Sequence, residues 1–506
     1  MFSRKSTVLA CTAALLTLAV SLPVVRGGSK PEKNGGDTTG VPEPAVSSYT
    51  ITVNGTELKY SATAGYMPLK SDEGKTKARM FYVAYRKKGS EPADRPVTFC
   101  FNGGPGASSI WLHMAALGPR YVPFPDRGTT LPDHPELETN PHTWLTFTDL
   151  VFIDPVGTGY SRAAEDVDPG QYWSLEGDLR SVGEFIRLYI GKNDRWASPT
   201  YVAGESYGAT RAGGLAKYLQ DEHNLYLDGL VLISSALDFQ LLGFNRGTGI
   251  TQALYLPSMA ASARYHGKLP EDLPRDLPEL LSEVETWALD TYLPALAKGD
   301  ELSEQKKEAV AQTLSGYTGL PTEDIMERDL RVGERYFAKN LLRGKNRKLG
   351  LYDARVSAPA IHPERREYAG YDPSSFLTKG PLTRCFQHYV ESELGWETDR
   401  RYITLSGQAN HRWDWGQKMG FPEVVKDIRT AMMRDPHLRV LVACGYYDLV
   451  TAYGTSEWVV RHLDLAEPVR GNVRLEHYRG GHMMYTNPRA HRNLADDARA
   501  LIGAQK

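Results

Sequence analysis

The sequence predicts an open α/β fold, a mostly parallel central sheet flanked by helices and interrupted by one large, mainly helical insertion. Three observations carry this. Short, nearly continuous apolar runs at 97–101, 150–153 and 229–234 have the composition of strands buried on both faces. Such runs alternate with segments of helical period, as βαβ units require. After Ser234 the strand signal stops for about 200 residues, far longer than an ordinary connection, and it returns at 438–443.

Taken in order, the chain opens with Arg4-Lys5 and a mainly apolar run from Thr7 to Val25, the charged and hydrophobic parts of a secretory signal. Residues 1–27 are therefore expected to direct export to a secreted or periplasmic, extracytoplasmic location. An uncleaved membrane anchor is the alternative, since the run is nearly of bilayer length. Residues 28–48, rich in Gly, Pro, Ser and charge, read as a flexible linker. From Tyr49 the pattern alternates, with Asn54-Gly55 as the turn of a hairpin, and 80–85 supplies another strand.

The run 97–101 ends in Asn102-Gly103-Gly104-Pro105-Gly106, and 107–117 has helical period. Strand 150–153 leads into Asp154-Pro155-Val156-Gly157-Thr158-Gly159-Tyr160-Ser161, and 175–190 reads as a helix. Strand 200–203 then runs into Gly204-Glu205-Ser206-Tyr207-Gly208. A catalytic domain of 49–236 and 437–506 would thus enclose a helical cap of 237–436. In the cap, Leu277, Leu280, Leu281, Val284 and Ala288 keep three-four spacing, and further helices are expected over 303–314 and 322–342. Trp413-Asp414-Trp415 could line a pocket, although aromatic residues more often pack. The closing strands, 438–443 and 473–478, end near Asp448 and His482, and 488–503 is a final helix.

Composition narrows the chemistry. The 59 basic and 61 acidic residues nearly cancel, so nothing marks a nucleic-acid partner or an anionic membrane surface. Without Cys11, which lies in the export segment, Cys100, Cys385 and Cys444 allow at most one disulfide and read as buried thiols. No Cys/His spacing suits zinc, and neither a metal nor a cofactor is expected.

The segment 204–208 reads as a nucleophile elbow. A strand running straight into a helix forces a strained turn, flanking glycines remove clashes, and Ser206 is presented at a helix N-terminus. A serine needs a base oriented by an acid. In an α/β-hydrolase fold the order is Ser, acid, His, each after a strand. His482, in a loop after the last strand, suits the base better than His477 or His491, which lie within elements. Asp448 suits the acid, with Asp238 as its rival.

These segments together resemble the serine carboxypeptidase family, peptidase family S10: Asn102 to Gly106 with Ser108-Ser109, Asp154 to Ser161, Gly204-Glu205-Ser206-Tyr207, Asp448, and Gly481-His482-Met483. The resemblance implies removal of C-terminal residues from peptides with a free C-terminus, by Ser206, Asp448 and His482 through an acyl-enzyme. It implies the N–H groups of Gly104 and Tyr207 as oxyanion hole, and Asn102, Gly103 and Glu205 as the site for the substrate carboxylate. The chain also departs from the family. Ala116 stands where a second carboxylate-binding glutamate is expected, His113 one turn earlier could supply charge there if it is not simply packed, and Gly208-Ala209-Thr210-Arg211 is unusual. An esterase or acyltransferase on the same scaffold, and a non-catalytic binding protein, are the alternatives.

Overall fold

A computed structural model describes residues 42–503 except 246, 275 and 417–419; the expected export segment and most of the linker lie outside the described residues. The first strand, β1 (Ala45–Val53), takes up the last four residues assigned above to the linker. It turns through Asn54 and Gly55, both at positive φ, into β2 (Thr56–Lys70), with Val53 opposite Thr56. The two-residue turn is what a right-handed hairpin twist demands. Next come β3 (Thr76–Lys87), β4 (Val97–Phe101), β5 (Asp149–Ile153), helix α1 (Leu175–Lys192), β6 (Thr200–Glu205), α2 (Tyr207–His223) and β7 (Gly229–Ile233).

The insertion follows, with α3 (Ile250–Tyr265), α4 (Leu277–Trp287), α5 (Glu304–Thr318), α6 (Pro373–His388) and α7 (Val425–Arg434). Between β7 and the next sheet strand, the strands described are two three-residue pieces, Arg347–Leu349 and Ser357–Pro359, which pair with each other. The chain closes with β8 (Arg439–Gly445), α8 (Tyr453–Arg461), β9 (Val473–Tyr478) and α9 (Pro488–Gly503).

The sheet order is β1-β2-β3-β5-β4-β6-β7-β8-β9, with the two-residue strand Arg162–Ala163 added beside β3. Pairing is antiparallel as far as β3/β5 and parallel from β5/β4 onward. This is the α/β-hydrolase fold with a mainly helical cap. Strands β4, β5, β6 and β7 are buried along their whole length, which is why they read as unbroken apolar runs. One apolar cluster lies on each face of the sheet, and a third fills the insertion.

Two helical expectations are corrected. The stretch 322–342 is not one helix but two short ones, Thr322–Met326 and Glu334–Asn340. Asp329 and Leu330 between them take positive φ, which no α-helix accommodates. The helix expected over 107–117 is confined to its second half, where Leu112–Leu117 winds as a π-helix. Ser109 is drawn instead to β5, its N–H donating to Asp154 Oδ1 at 2.9 Å.

Candidate active site

The parallel strands deliver every candidate residue to one edge of the sheet. After β4 the chain goes to β5 on one side and then crosses to β6 on the other, so a topological switch point lies at the carboxyl end of β4. The loop beginning at Asn102 and the elbow after β6 meet there, with Phe101 in register with Gly204.

Ser206 has φ 61° and ψ −126°, a strained turn for a residue with a side chain. The turn is fixed from both sides: the Ser206 N–H donates to the Ile233 carbonyl at 2.9 Å, extending the β6/β7 ladder, and α2 starts at the next residue. A side chain on Gly204 would collide with the Gly208 carbonyl, so strand and helix can approach only over glycine. Gly103 has the same constraint, because its Cβ would strike the N–H groups of Tyr207 and Gly208. The Asn102–Gly104 loop therefore lies directly on the elbow. Tyr207, as first residue of α2, has an N–H with no intrahelical partner, and Gly104 holds its neighbouring peptide at φ 101°.

Asp448 and His482, which follow β8 and β9, are brought together and are almost completely buried, at 0 % and 1 % exposure. His482 Nδ1 lies 2.7 Å from Asp448 Oδ2. Asp448 is itself held: Oδ1 accepts the N–H groups of Val450 (2.7 Å) and Thr451 (3.0 Å), and Oδ2 accepts the Thr451 hydroxyl (2.8 Å). The His482 carbonyl accepts the Ser234 hydroxyl at 2.7 Å, and its ring meets Tyr352 edge-on at 5.2 Å. Pairing at Nδ1 with a carboxylate favours the proton there and leaves Nε2 with its lone pair free. Nε2 is buried and makes no hydrogen bond among the described residues. Burial opposes the imidazolium, but the charge and hydrogen bond of Asp448, with the charge of Glu205, outweigh it and raise the His482 pKa.

Asp238 is not part of this arrangement. It caps the short helix Phe239–Leu242, accepting the Gln240 N–H at 2.9 Å.

Glu205 ends β6 immediately before Ser206. Only 4 % exposed, its carboxyl is pushed up to about 7 by burial, against the lowering influence of His482, Tyr485 and Asn102. The Tyr485 hydroxyl donates to Glu205 Oε2. Asn102 uses Oδ1 to accept the Leu112 N–H at 3.1 Å, while its amide Nδ2, near Glu205, is buried without a hydrogen bond of good geometry. A carboxyl that titrates near neutrality thus stands next to an unpartnered amide donor.

His113 does not supply charge to this group. It is 2 % exposed, stacked on Phe152 at 4.1 Å and hydrogen-bonded to the Tyr85 hydroxyl at 2.7 Å, and burial pushes its pKa down to about 3. It is a neutral core residue. Ala116 is fully buried, its carbonyl accepting Asn140 Nδ2 (2.8 Å) and His491 Nε2 (2.6 Å). Trp413 and Trp415 pack edge-on against Tyr207, at 5.1 and 6.0 Å. The three described cysteines are buried and free, and no cluster of described residues could hold a metal ion.

Two supports were not read from the sequence. Tyr485 comes from the turn Met484–Thr486, three residues beyond His482, and only the fold reveals that this turn packs over Glu205. Arg211, at the centre of the unusual segment after Tyr207, bonds the Asn102 carbonyl (2.8 Å) and Asp178 of α1 (2.8 Å). Its guanidinium also lies over the rings of Phe101 and Tyr207. The signal was a long cation in an otherwise small-residue helix face, but its partners are distant in sequence.

Comparison with known proteins agrees with this architecture. The family described as serine carboxypeptidase matches residues 53–486. Among curated relatives, serine carboxypeptidase-like 2 of Arabidopsis thaliana is 31% identical over 154 residues, covering 30% of this chain and 32% of that protein. Serine carboxypeptidase-like 50 of the same plant is 32% identical over 162 residues, covering 31% and 34%. The alignments thus span about a third of the length of each relative. A solved structure, the prohormone-processing carboxypeptidase Kex1Δp of Saccharomyces cerevisiae, superposes with a TM-score of 0.53 at 16% identity, covering 88% of this chain and 90% of that one. The likeness is one of fold.

Proposed function

The chain belongs to the serine carboxypeptidase family, and from that premise we propose that it is an exported serine carboxypeptidase hydrolysing the last peptide bond of peptides. Ser206 attacks the scissile carbonyl. His482 Nε2 takes its proton and passes it to the leaving amino acid, while Asp448 holds the ring and balances the imidazolium. The N–H groups of Gly104 and Tyr207 receive the oxyanion, and water, activated by the same histidine, releases the acyl group.

The observation that carries the exopeptidase reading is the pairing of buried Glu205 with the unpartnered Asn102 amide, immediately beside the nucleophile. A substrate carboxylate docked there meets an amide donor, the Gly103 loop and a carboxyl that burial has made protonatable. Two carboxyls in contact share a proton rather than repel. Ala116 leaves Glu205 without a second acid, which keeps an esterase or acyltransferase as the alternative. Comparing one acyl-dipeptide as free acid and as C-terminal amide decides between them. The free acid should be preferred by at least about two orders of magnitude, as befits a site left with unpaired polar groups by the wrong ligand; equal rates would reject the exopeptidase reading. The N-terminal 27 residues would serve as the export signal. Among the described residues, no helix is long and apolar enough to cross a membrane.

The pH dependence follows from two coupled groups. Binding of a free acid needs Glu205 protonated, so kcat/KM should fall as pH rises through about 7. Catalysis needs His482 neutral, so it should fall again as pH drops below the raised His482 pKa. Glu205→Gln cannot ionise and should keep activity while flattening the alkaline fall. A profile identical to wild type would remove Glu205 from carboxylate recognition.

Tyr485→Phe makes the opposite test. The tyrosine hydroxyl stabilises ionised Glu205, so its loss should move the alkaline fall of kcat/KM upward by roughly one pH unit, the worth of one charge-assisted hydrogen bond. Loss of activity at every pH with the midpoint unmoved would instead mark Tyr485 as a packing residue.

A further inference from the structure

A cavity of about 680 Å³ lies beside the loops that follow the last two sheet strands, with Ser206 outside its lining. Its walls continue the strand ends that carry the triad: Tyr446 and Tyr447 precede Asp448, and Tyr478 and Arg479 lead to His482. Four separate segments each contribute an arginine. Arg127 comes from the turn Asp126–Gly128, Arg355 from the loop after Tyr352, Arg479 from the exit of β9, and Arg489 from the first turn of α9. No aspartate or glutamate lines the cavity. Arg355 is 6 % exposed and paired with Asp353 at 2.6 Å, whereas Arg127, Arg479 and Arg489 make no ion pair among the described residues. Behind the walls, Asp497 accepts from Tyr478 and Arg474 and Glu457 pairs with Arg461, while Asp276 lines an adjoining recess that shares Tyr265, Tyr447 and Arg479.

Gathering three unneutralised guanidinium groups beside a fourth costs mutual repulsion, which an oxyanion would relieve. The amino-terminal end of the 16-residue α9 adds its positive dipole on the same side. The cavity is much larger than one phosphate, and tyrosine rings, those of Tyr265 and Tyr447 packed at 5.7 Å, occupy the wall between the arginines. Guanidinium forks match the oxygens of phosphate two at a time, and tyrosine faces match planar or apolar bodies. We infer that this cavity is a binding site for a multiply charged phosphate compound bearing an aromatic body, separate from the peptide site.

The site adjoins the loop that carries the base. The Arg479 carbonyl accepts from both Arg355 (3.3 Å) and Asn487 (2.8 Å), and the Tyr447 N–H donates to the Gly480 carbonyl (3.0 Å). A ligand held by the Arg355 and Arg479 side chains would therefore rest on the backbone two residues from His482.

Calorimetric titration of the full chain at low salt with pyrophosphate, ATP and adenosine tests this. Pyrophosphate and ATP should bind saturably at one site, ATP the tighter, and adenosine should not bind. The double variant Arg479→Ala/Arg489→Ala, both on exposed side chains, should weaken ATP at least about tenfold, as expected for lost charge-assisted contacts. Removing the same number of charges at Lys59 and Arg86, on β2 and β3 toward the other edge of the sheet, should leave ATP affinity unchanged. No saturable binding below about 1 mM, equal weakening by the two double variants, or affinity that survives loss of Arg479 and Arg489 would each overturn the assignment.

Discussion

Ser206→Ala is expected to lower turnover by roughly five to six orders of magnitude, the loss typical of a triad deprived of its nucleophile, while the fold stays intact. The turn is set by the backbone, through the Ser206 N–H on the Ile233 carbonyl and the start of α2, and alanine accepts φ 61° no worse than serine does. Circular dichroism and the urea midpoint should therefore match wild type. Ser206→Gly sharpens the test. Glycine relieves a strain of about 1–3 kcal/mol at an unfolded-state cost of about 0.4–1 kcal/mol, so it should be equally inactive and modestly more stable. Hydrolysis by the alanine variant at more than a thousandth of the wild-type rate would remove Ser206 from the mechanism, as would a failure of wild type to take a fluorophosphonate label that the variant also lacks.

The second large effect belongs to Arg211. It and Asp178 are each about 1 % exposed, and burial raises the Asp178 pKa while Arg211 opposes it. Arg211→Met leaves Asp178 buried and unpaired, which typically costs about 3–5 kcal/mol. The sign of its pH dependence is fixed. A carboxyl whose folded pKa lies above its unfolded value keeps its stability below the unfolded pKa and loses it as pH rises; removing Arg211 raises the Asp178 pKa further, so the deficit of Arg211→Met against wild type should grow as pH rises past the already raised wild-type pKa. Asp178→Leu/Arg211→Met should recover most of the stability, because an apolar pair carries no desolvation penalty. Activity should not return with it, since the Asn102 carbonyl loses its 2.8 Å donor and the loop that lies on the Ser206 turn is no longer braced. Denaturant midpoints at pH 5 and 8, together with kcat/KM, separate the two roles; full activity in the double variant would show that the brace is dispensable.

Much of the arrangement was legible because it rests on local patterns. The last strand and last helix fell at Val473–Tyr478 and Pro488–Gly503, as the apolar runs required, and Asn54-Gly55 closed the expected hairpin. Period failed where a break lacked a breaker. Nothing at 329–330 but ordinary side chains announces positive φ, so 322–342 read as one helix. Likewise, the 107–117 period could not report that Ser109 is drawn toward Asp154 from a strand not yet reached in the sequence.

By itself the sequence determined the elbow and the placing of Asp448 and His482 after late strands, because a strained strand-to-helix turn and an exit from a buried strand are each written in a few contiguous residues. Only the tertiary structure decided what those residues touch. It placed Asp448 2.7 Å from His482 and left Asp238 as a helix cap. It buried His113 against Phe152, laid Tyr485 on Glu205, and ran Arg211 from α1 to the Asn102 loop. The physical reason is separation along the chain. Burial and pairing set the charge of Glu205, His482 and Asp178, and the groups that bury and pair them lie up to 280 residues away, where no local spacing can point to them.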